Sequence, residues 1–370
     1  VTDRRIRVLH VLQTLGIGGM EKRILRLCRG LDASVYDVHA VSLRPTSGPM
    51  IDWPEDQRHF YPIAPGFHAG QLLGLARFMR EGRYDIVHSH NWATMLYGVL
   101  AGRLARAPIV LHGEHGLNDD DRKGVSWRRR AVSTAIAHAA TGVVAVNDFI
   151  KRQSEERWHL PSARVVSIPN GVDLDRFSPG RRARAEGAEL VFGTVARFDP
   201  IKNLPCIVRG FALFRQANPT LRSRLVLVGD GPLRGEVEGL AASLPCGDAV
   251  EFPGETQTPE DWYPEFDVFI NGSLSEGMSN TILEGMACGL PVVASDVPGN
   301  RSWLEDDSHA LFFESDNAGA LADRLATLAK DAARRRDMGR RNRSLAERAY
   351  DNRDFLQRYH RLYQRLLGQA

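Results

Sequence analysis

Short apolar runs alternate with amphipathic helical patterns along all 370 residues of this chain, and nothing else in it constrains the fold as tightly. In the first half, strand-like runs fall at 6–12, 36–43, 85–89, 108–112, 142–146 and 165–168. Helical patterns fill most of the gaps, as at 20–31, 72–81, 93–105 and 128–140. Each run is short, rich in Val and Ile and nearly continuous, which predicts strands buried on both faces of a parallel sheet. The segment from Asn170 to Gly180 is dense in turn residues, and the Arg/Ala-rich stretch after it runs to Glu189, so the pair reads as a linker. Beyond it the alternation restarts, with runs at 190–195, 225–228, 250–252, 268–270, 291–294 and 310–313. The expectation is an α/β protein of two doubly wound halves facing across a cleft, with ligands beyond the carboxyl ends of the strands. The tail, 331–370, is helical in pattern and arginine-rich. Tyr350, Phe355, Tyr359, Leu362, Tyr363 and Leu366 recur there at helical spacing, so one face of the last helix needs a partner surface.

Composition narrows the class. Apolar content of 43% and charged content of 25% are those of a globular protein. A net charge of +3 implies no nucleic-acid partner. Cys28, Cys206, Cys246 and Cys288 lack metal-ligand spacing and read as reduced core thiols of a cytoplasmic protein. Val1-Thr2-Asp3-Arg4-Arg5 leads straight into a strand, which predicts no signal peptide. No apolar run approaches the roughly 20 residues of a membrane span.

The densest chemistry lies between Ser275 and Ser295, where Glu276 and Glu284 flank a loop that opens a helix. Thr281-x-x-Glu284 has the spacing of a capping box, so Glu284 has a structural explanation beside a ligand-binding one. Glu276 sits in a Gly-containing loop, where an acid gains little structurally, and is the better functional candidate. Gly277, Met278, Ser279 and Asn280 would present backbone N–H groups at the positive end of the helix to sugar hydroxyls or phosphate. Upstream, the run at 190–195 ends in Ala196-Arg197-Phe198-Asp199-Pro200-Ile201-Lys202-Asn203. Arg197 and Lys202 on one short loop suit a diphosphate, Arg as a fork and Lys as a compact charge. The competing reading is a solvated loop with an Arg197–Asp199 ion pair.

Other candidates are weaker. Gly18 and Gly19 follow the first strand and precede a helix, as a phosphate-approaching turn or simply a tight one. His112 ends an apolar strand toward the expected cleft, with His88 and His90 competing for the role and His115 close behind. Asp119-Asp120-Asp121 reads as a solvated loop rather than a metal site. Arg122-Lys123 and Arg128-Arg129-Arg130, ahead of an apolar helix, read either as a contact for anionic lipid or as a solvated helix start.

Taken in order, these pieces resemble glycosyltransferase family 4, the retaining enzymes of the GT-B fold. The resemblance is carried by Gly18-Gly19-Met20-Glu21, Leu111-His112-Gly113 and Ile168-Pro169-Asn170-Gly171-Val172-Asp173. It continues through Arg197 to Lys202-Asn203, Val228-Gly229-Asp230-Gly231-Pro232, Glu276-x7-Glu284 and Gly289-Leu290-Pro291-Val292-Val293-Ala294-Ser295, and so spans nearly the whole chain. The region Gly113-Glu114-His115-Gly116 is also similar to sugar transferases encoded with bacterial exopolysaccharide export systems.

The resemblance implies an acceptor-side Rossmann-like domain at 1–175, a nucleotide-sugar-binding one at 176–348, and a terminal helix, 349–370, that packs back on the first. It implies that Arg197 and Lys202 bind the donor diphosphate and Glu284 the ribose. Glu276, with backbone groups from Gly277 to Asn280, would hold the donor sugar. His112 would lie against that sugar, and Gly18 and Gly19 would close over the phosphates. No metal or other cofactor is expected. The expected reaction is retaining transfer from a UDP- or GDP-sugar to a hydroxyl of a saccharide, lipid-linked or small-molecule acceptor, in cell-surface polysaccharide or glycolipid assembly. The alternatives are a nucleotide-sugar-binding protein without turnover, or a phosphorylase-like or epimerase-like enzyme on the same architecture. The expected location is cytoplasmic, with peripheral contact at the inner face of the membrane.

Overall fold

The computed structural model describes residues 4–16, 18–46, 52–116, 126–180, 189–304 and 307–368. Asp119-Asp120-Asp121, Arg122-Lys123 and the stretch 181–188 lie outside the described residues. The chain divides into two compact units, Val1–Asn170 with Arg353–Ala370, and Gly171–Asn352.

In the first unit strands and helices alternate: β1 (Ile6–Leu12), α1 (Gly19–Gly30), β2 (Tyr36–Ser42), β3 (Arg58–Phe60), α2 (Ala69–Glu81), β4 (Ile86–His90), α3 (Trp92–Leu104), β5 (Ile109–Glu114), α4 (Trp127–Ala139), β6 (Gly142–Ala145), α5 (Asp148–Trp158) and β7 (Val165–Ser167). The strands form one parallel seven-stranded sheet in the order β3-β2-β1-β4-β5-β6-β7. In β4, β5 and β6 every residue is buried, which is why these runs read as continuous rather than alternating.

The second unit repeats the plan with β8 (Leu190–Val195), α6 (Leu204–Ala217), β9 (Ser223–Val228), α7 (Arg234–Ser243), β10 (Val250–Gly254), β11 (Val268–Asn271), α8 (Asn280–Ala287), β12 (Val292–Ser295), α9 (Pro298–Arg301), β13 (Ala310–Phe313), α10 (Ala318–Lys330) and α11 (Ala332–Ala349). Its six parallel strands run β10-β9-β8-β11-β12-β13. The α/β class expected from the sequence is the one observed. In each sheet the order reverses beside the first strand, between β1 and β4 and between β8 and β11. Connections leave in opposite directions at such a point, and a crevice opens at the carboxyl ends of the two strands.

The tail is not one helix. It breaks at Tyr350-Asp351 and resumes as α12 (Asn352–Leu366). The break is held by backbone pairing with a distant segment: Val172 N–H donates to Tyr350 C=O at 2.8 Å, and Asn352 N–H to Val172 C=O at 2.9 Å. Tyr350 therefore leaves the aromatic face on which its spacing placed it, and packs edge-on against Trp303, ring centroids 5.6 Å apart. Phe355, Tyr359, Leu362 and Tyr363 of α12 are buried in the first unit's core with Val8, Leu12, Ile24 and Leu27. Arg23 of α1 is buried among them. Its guanidinium donates to Ile168 C=O at 2.9 Å and to Tyr359 Oη at 3.0 Å, and lies 5.2 Å from the Phe355 ring centroid. All four cysteines are free thiols. Among the described residues no helix is long and apolar enough to cross a membrane.

Candidate functional site

The crevice between β8 and β11 receives two loops. The first leaves β8 and is anchored by Phe198, which is fully buried in the core. Phe198 N–H donates to Asp230 C=O at 2.8 Å, and its C=O accepts from Leu233 N–H at 3.0 Å. This close approach requires glycine on the opposing turn. Gly229 and Gly231 have φ of +138° and +157°, and a Cβ on Gly231 would stand 2.6 Å from Phe198 O. With Phe198 pinned inward, its neighbour Arg197 is turned out and exposed.

Asp199 caps the short turn that follows, accepting Lys202 N–H at 3.2 Å. It does not pair with Arg197: among the described residues Arg197 makes no ion pair, so the reading of a salt bridge within this loop is corrected. The capping task occupies the carboxylate instead.

The second loop leaves β11 through Asn271 and carries Glu276. Leu274 N–H donates to Ile201 C=O at 2.8 Å and ties it to the first loop. Lys202 Nζ lies 2.7 Å from Glu276 Oε1. Ser273 Oγ donates to the same oxygen at 2.7 Å and Asn271 Nδ2 at 3.3 Å. All three donors converge on Oε1, and no described residue donates to Oε2. Burial works against the Glu276 charge, but the Lys202 charge and these hydrogen bonds outweigh it and hold the carboxyl below its ordinary value of 4.5. Burial likewise works to lower the Lys202 pKa, and the Glu276 charge and hydrogen bond override it and raise the ammonium above 10.5.

Beneath Glu276 lies a buried polar layer. Asn300 Nδ2 donates to Ser295 C=O at 3.1 Å and to Asn271 Oδ1 at 3.4 Å, while Ser295 Oγ donates to Ser273 C=O at 2.6 Å. These supporting residues escape a search for charged groups. Asn271 alone left a signal, as a polar residue closing an apolar strand.

Helix α8 begins two residues before the capping-box spacing predicts. Its N-cap is Ser279, whose Oγ accepts Ile282 N–H at 3.4 Å. Glu284 is therefore past the first turn, beyond the capping-box position. It is 5% exposed, and Tyr263 Oη donates to its Oε2 at 2.7 Å. A buried carboxylate held by a tyrosine has no capping explanation, so that reading is corrected too. Gly277, Met278 and Ser279 are buried between the two acids, with Asn280 half-buried.

The remaining candidates belong to the first unit. Gly18 is the N-cap of α1, in extended conformation and with no side-chain cap, and Gly19 is the first helical residue. His112 is fully buried, with Nδ1 2.9 Å from Ser89 Oγ and Nε2 2.9 Å from Glu114 Oε1. His115 is half-buried at the outer end of the same strand, its Nε2 2.9 Å from His90 Nδ1. His88 and His90 are fully buried on β4.

Chemically, the second unit offers the Arg197 guanidinium, unpaired among the described residues, the Lys202 ammonium paired to the Glu276 carboxylate, and the buried acid Glu284 further along. Residues 17–176 match the family described as Glycosyltransferase Family 4, and residues 189–331 match Glycosyl transferases group 1. EpsF of Bacillus subtilis strain 168, named there as a glycosyltransferase, is 31% identical over 309 residues, covering 78% of this chain and 79% of the relative. The UDP-Gal:alpha-D-GlcNAc-diphosphoundecaprenol alpha-1,3-galactosyltransferase of Escherichia coli is 25% identical over 348 residues, 89% of each chain. Among solved structures, Anabaena Alr3699/HepE in complex with UDP and glucose superposes with a TM-score of 0.82 at 18% identity, covering 97% of this chain and 100% of that one.

Proposed function

Because the chain belongs to glycosyltransferase family 4, with the GT-B fold, we propose that it moves a sugar from a UDP- or GDP-sugar to an acceptor hydroxyl with retention of anomeric configuration. Glycosyl transfer itself follows from the family.

The observation that carries it is the meeting of Lys202 and Glu276 at the switch point, with Arg197 exposed and unpaired on the same loop. In the reaction the bond from the anomeric carbon to the diphosphate oxygen breaks, and negative charge gathers on the leaving group. Arg197 and Lys202 are preorganised cations for that charge. Glu276 Oε2 accepts from a hydroxyl of the donor sugar, and Glu284 from the ribose. The acceptor oxygen forms its bond on the face the diphosphate leaves, and its proton passes to a phosphate oxygen. Two side-chain cations take the part of a divalent ion, so transfer proceeds without a metal. On the first unit, Gly18 and Gly19 are the candidates for phosphate contact, and an imidazole from the end of β5 is the candidate for the sugar. His112→Ala and His115→Ala separate the two candidates, since the sugar-side residue loses kcat while donor affinity holds.

The acceptor side rests on the relatives. The Escherichia coli enzyme is named for a diphosphoundecaprenol substrate, which supports a lipid-linked acceptor in surface polysaccharide or glycolipid assembly. Trp127, 74% exposed, stands beside exposed Arg128 and Arg130 at the start of α4. An aromatic beside basic residues suits peripheral contact with an anionic membrane from the cytoplasmic side.

A thermal-shift panel of UDP-, GDP- and ADP-sugars tests the donor. A ligand at 100 times its Kd adds about 2.7 kcal/mol to stability. One base class is expected to stand out, and no shift with any donor would defeat the proposal. NMR of the first sugar released from that donor reads the stereochemistry, and an inverted anomer would reject retention.

A further inference from the structure

The switch point of the first sheet gathers imidazoles that the transfer reading leaves without a task. His10 on β1 is directly in register with His88 on β4, and His90 follows two residues along the same strand. All three are fully buried on the sheet face packed by α12. His10 Nδ1 lies 2.9 Å from His90 Nε2, and the His88 and His90 ring centroids are 4.3 Å apart. One nitrogen from each of His10, His88 and His90 lies within 4.8 Å of the others. His115 joins from β5 through its contact with His90.

Two atoms of this group are unexplained. His10 Nε2 and His88 Nε2 are buried and have no hydrogen-bond partner among the described residues. A buried polar atom left unmatched is destabilising, and such groups point to an ion or water between them. Position 113 has to be glycine for these rings to gather: a Cβ there would stand 2.7 Å from His90 Nδ1, 3.0 Å from His115 Nε2 and 3.2 Å from His88 Nε2, closer than packed atoms allow.

We propose that His10, His88 and His90, with His115 beside them, form a binding site for a divalent transition-metal ion of the zinc type. The donor set is imidazole alone, which suits Zn2+, Cu2+ or Ni2+ rather than Mg2+ or Ca2+. Zinc takes imidazole nitrogen at about 2.0–2.1 Å in tetrahedral sites, so the group needs only small ring movements to close on it. A ligand imidazole must be neutral. Burial, reinforced by the Arg23 charge, lowers the His10 pKa to about 3, and burial and the neighbouring rings lower those of His88 and His90. Tyr363 Oη, 3.5 Å from His88 Nδ1, is placed to orient the ring from its other nitrogen. The Arg23 charge opposes a dication, so the affinity falls below that of a closed thiolate site.

The ion would cross-link β1 to β4 and stabilise the first unit. It does not act on the diphosphate, and the inference stands or falls apart from the transfer reading. The test uses the full chain, stripped with a chelator, dialysed and titrated with Zn2+ by calorimetry. One equivalent per chain and a raised Tm are expected, with Co2+ giving the visible bands of a nitrogen-ligated ion. His88→Gln and Gly113→Ala, the second of which pushes the rings apart without removing a ligand, are each expected to weaken binding at least about 10-fold. His59→Gln, in the His39–His59 stack elsewhere on the sheet, serves as the control and should bind as wild type. Anomalous diffraction at the zinc edge from soaked wild-type crystals decides the matter even where variants misfold. A peak bounded by His10, His88 and His90 supports the site. A peak elsewhere, an ordered water only, or binding weaker than millimolar overturns it.

Discussion

Replacing Lys202 with Met removes the cation from Glu276 while keeping most of the side-chain volume. The charges are 2.7 Å apart, and their side chains are 28% and 9% exposed. At an effective dielectric of about 20 the gross attraction is about 6 kcal/mol. Desolvation of the carboxylate offsets more than half of this, leaving a net coupling of roughly 2–3 kcal/mol. Spread over a unit of this size, the loss lowers Tm by about 4–12 °C. The assay is calorimetric unfolding of wild type, Lys202→Met, Glu276→Gln and the double variant. The cycle isolates the pair, because Ser273 and Asn271 still serve position 276 in every member. The pH dependence has a definite sign. The folded Glu276 pKa is depressed, so its contribution is full above the ordinary 4.5 and lost as pH falls through the folded value. The folded Lys202 pKa is raised, so its contribution is full below 10.5 and lost as pH rises through the folded value. In Lys202→Met, burial is opposed only by the Ser273 and Asn271 hydrogen bonds, so the Glu276 pKa rises and the penalty fades as pH is lowered through it. A coupling below about 0.5 kcal/mol, or a penalty independent of acid pH, would refute this reasoning.

Further outcomes follow from the same geometry. Tyr263→Phe removes the 2.7 Å donor from buried Glu284 and should cost about 1.5–3 kcal/mol in urea unfolding, with weaker UDP or GDP binding in titration calorimetry. Gly231→Ala places a methyl 2.6 Å from Phe198 O at a φ of +157°, and should cost at least about 2 kcal/mol. Gly235→Ala, with nothing within 4 Å, should be neutral or stabilising by up to about 1 kcal/mol in the same urea series.

What could be seen in advance depended on whether local pattern or distant contact decided the outcome. Strands buried on both faces announce themselves, and β1, β8 and β13 begin and end where the apolar runs do. The edge strand β3 was missed because Arg58-His59-Phe60 is three residues long and carries no apolar run. The break before α12 was missed because Val172, far along the chain, supplies the hydrogen bonds that replace helical ones at Tyr350 and Asn352. The start of α8 was misplaced by one capping choice, Ser279 in place of Thr281, and that single shift decided whether Glu284 was structural. Lys202 and Glu276 were each legible as candidates, but their pairing across 74 residues required the strand order. His88 and His90 were seen only as rivals to His112. Their meeting with His10 depends on the register of β1 against β4, which no local pattern records.

The central claim is that the β8–β11 crevice drives departure of a nucleoside diphosphate through Arg197 and Lys202. Release of UDP or GDP from a panel of nucleotide sugars, by wild type and by Arg197→Ala and Lys202→Ala, tests it most directly. The account predicts release from one donor class by wild type and a loss of roughly 100-fold or more in each variant. Arg197→Ala should keep its Tm, because its side chain is exposed and unpaired. Release that persists undiminished in both variants, or no release from any donor, would contradict the account.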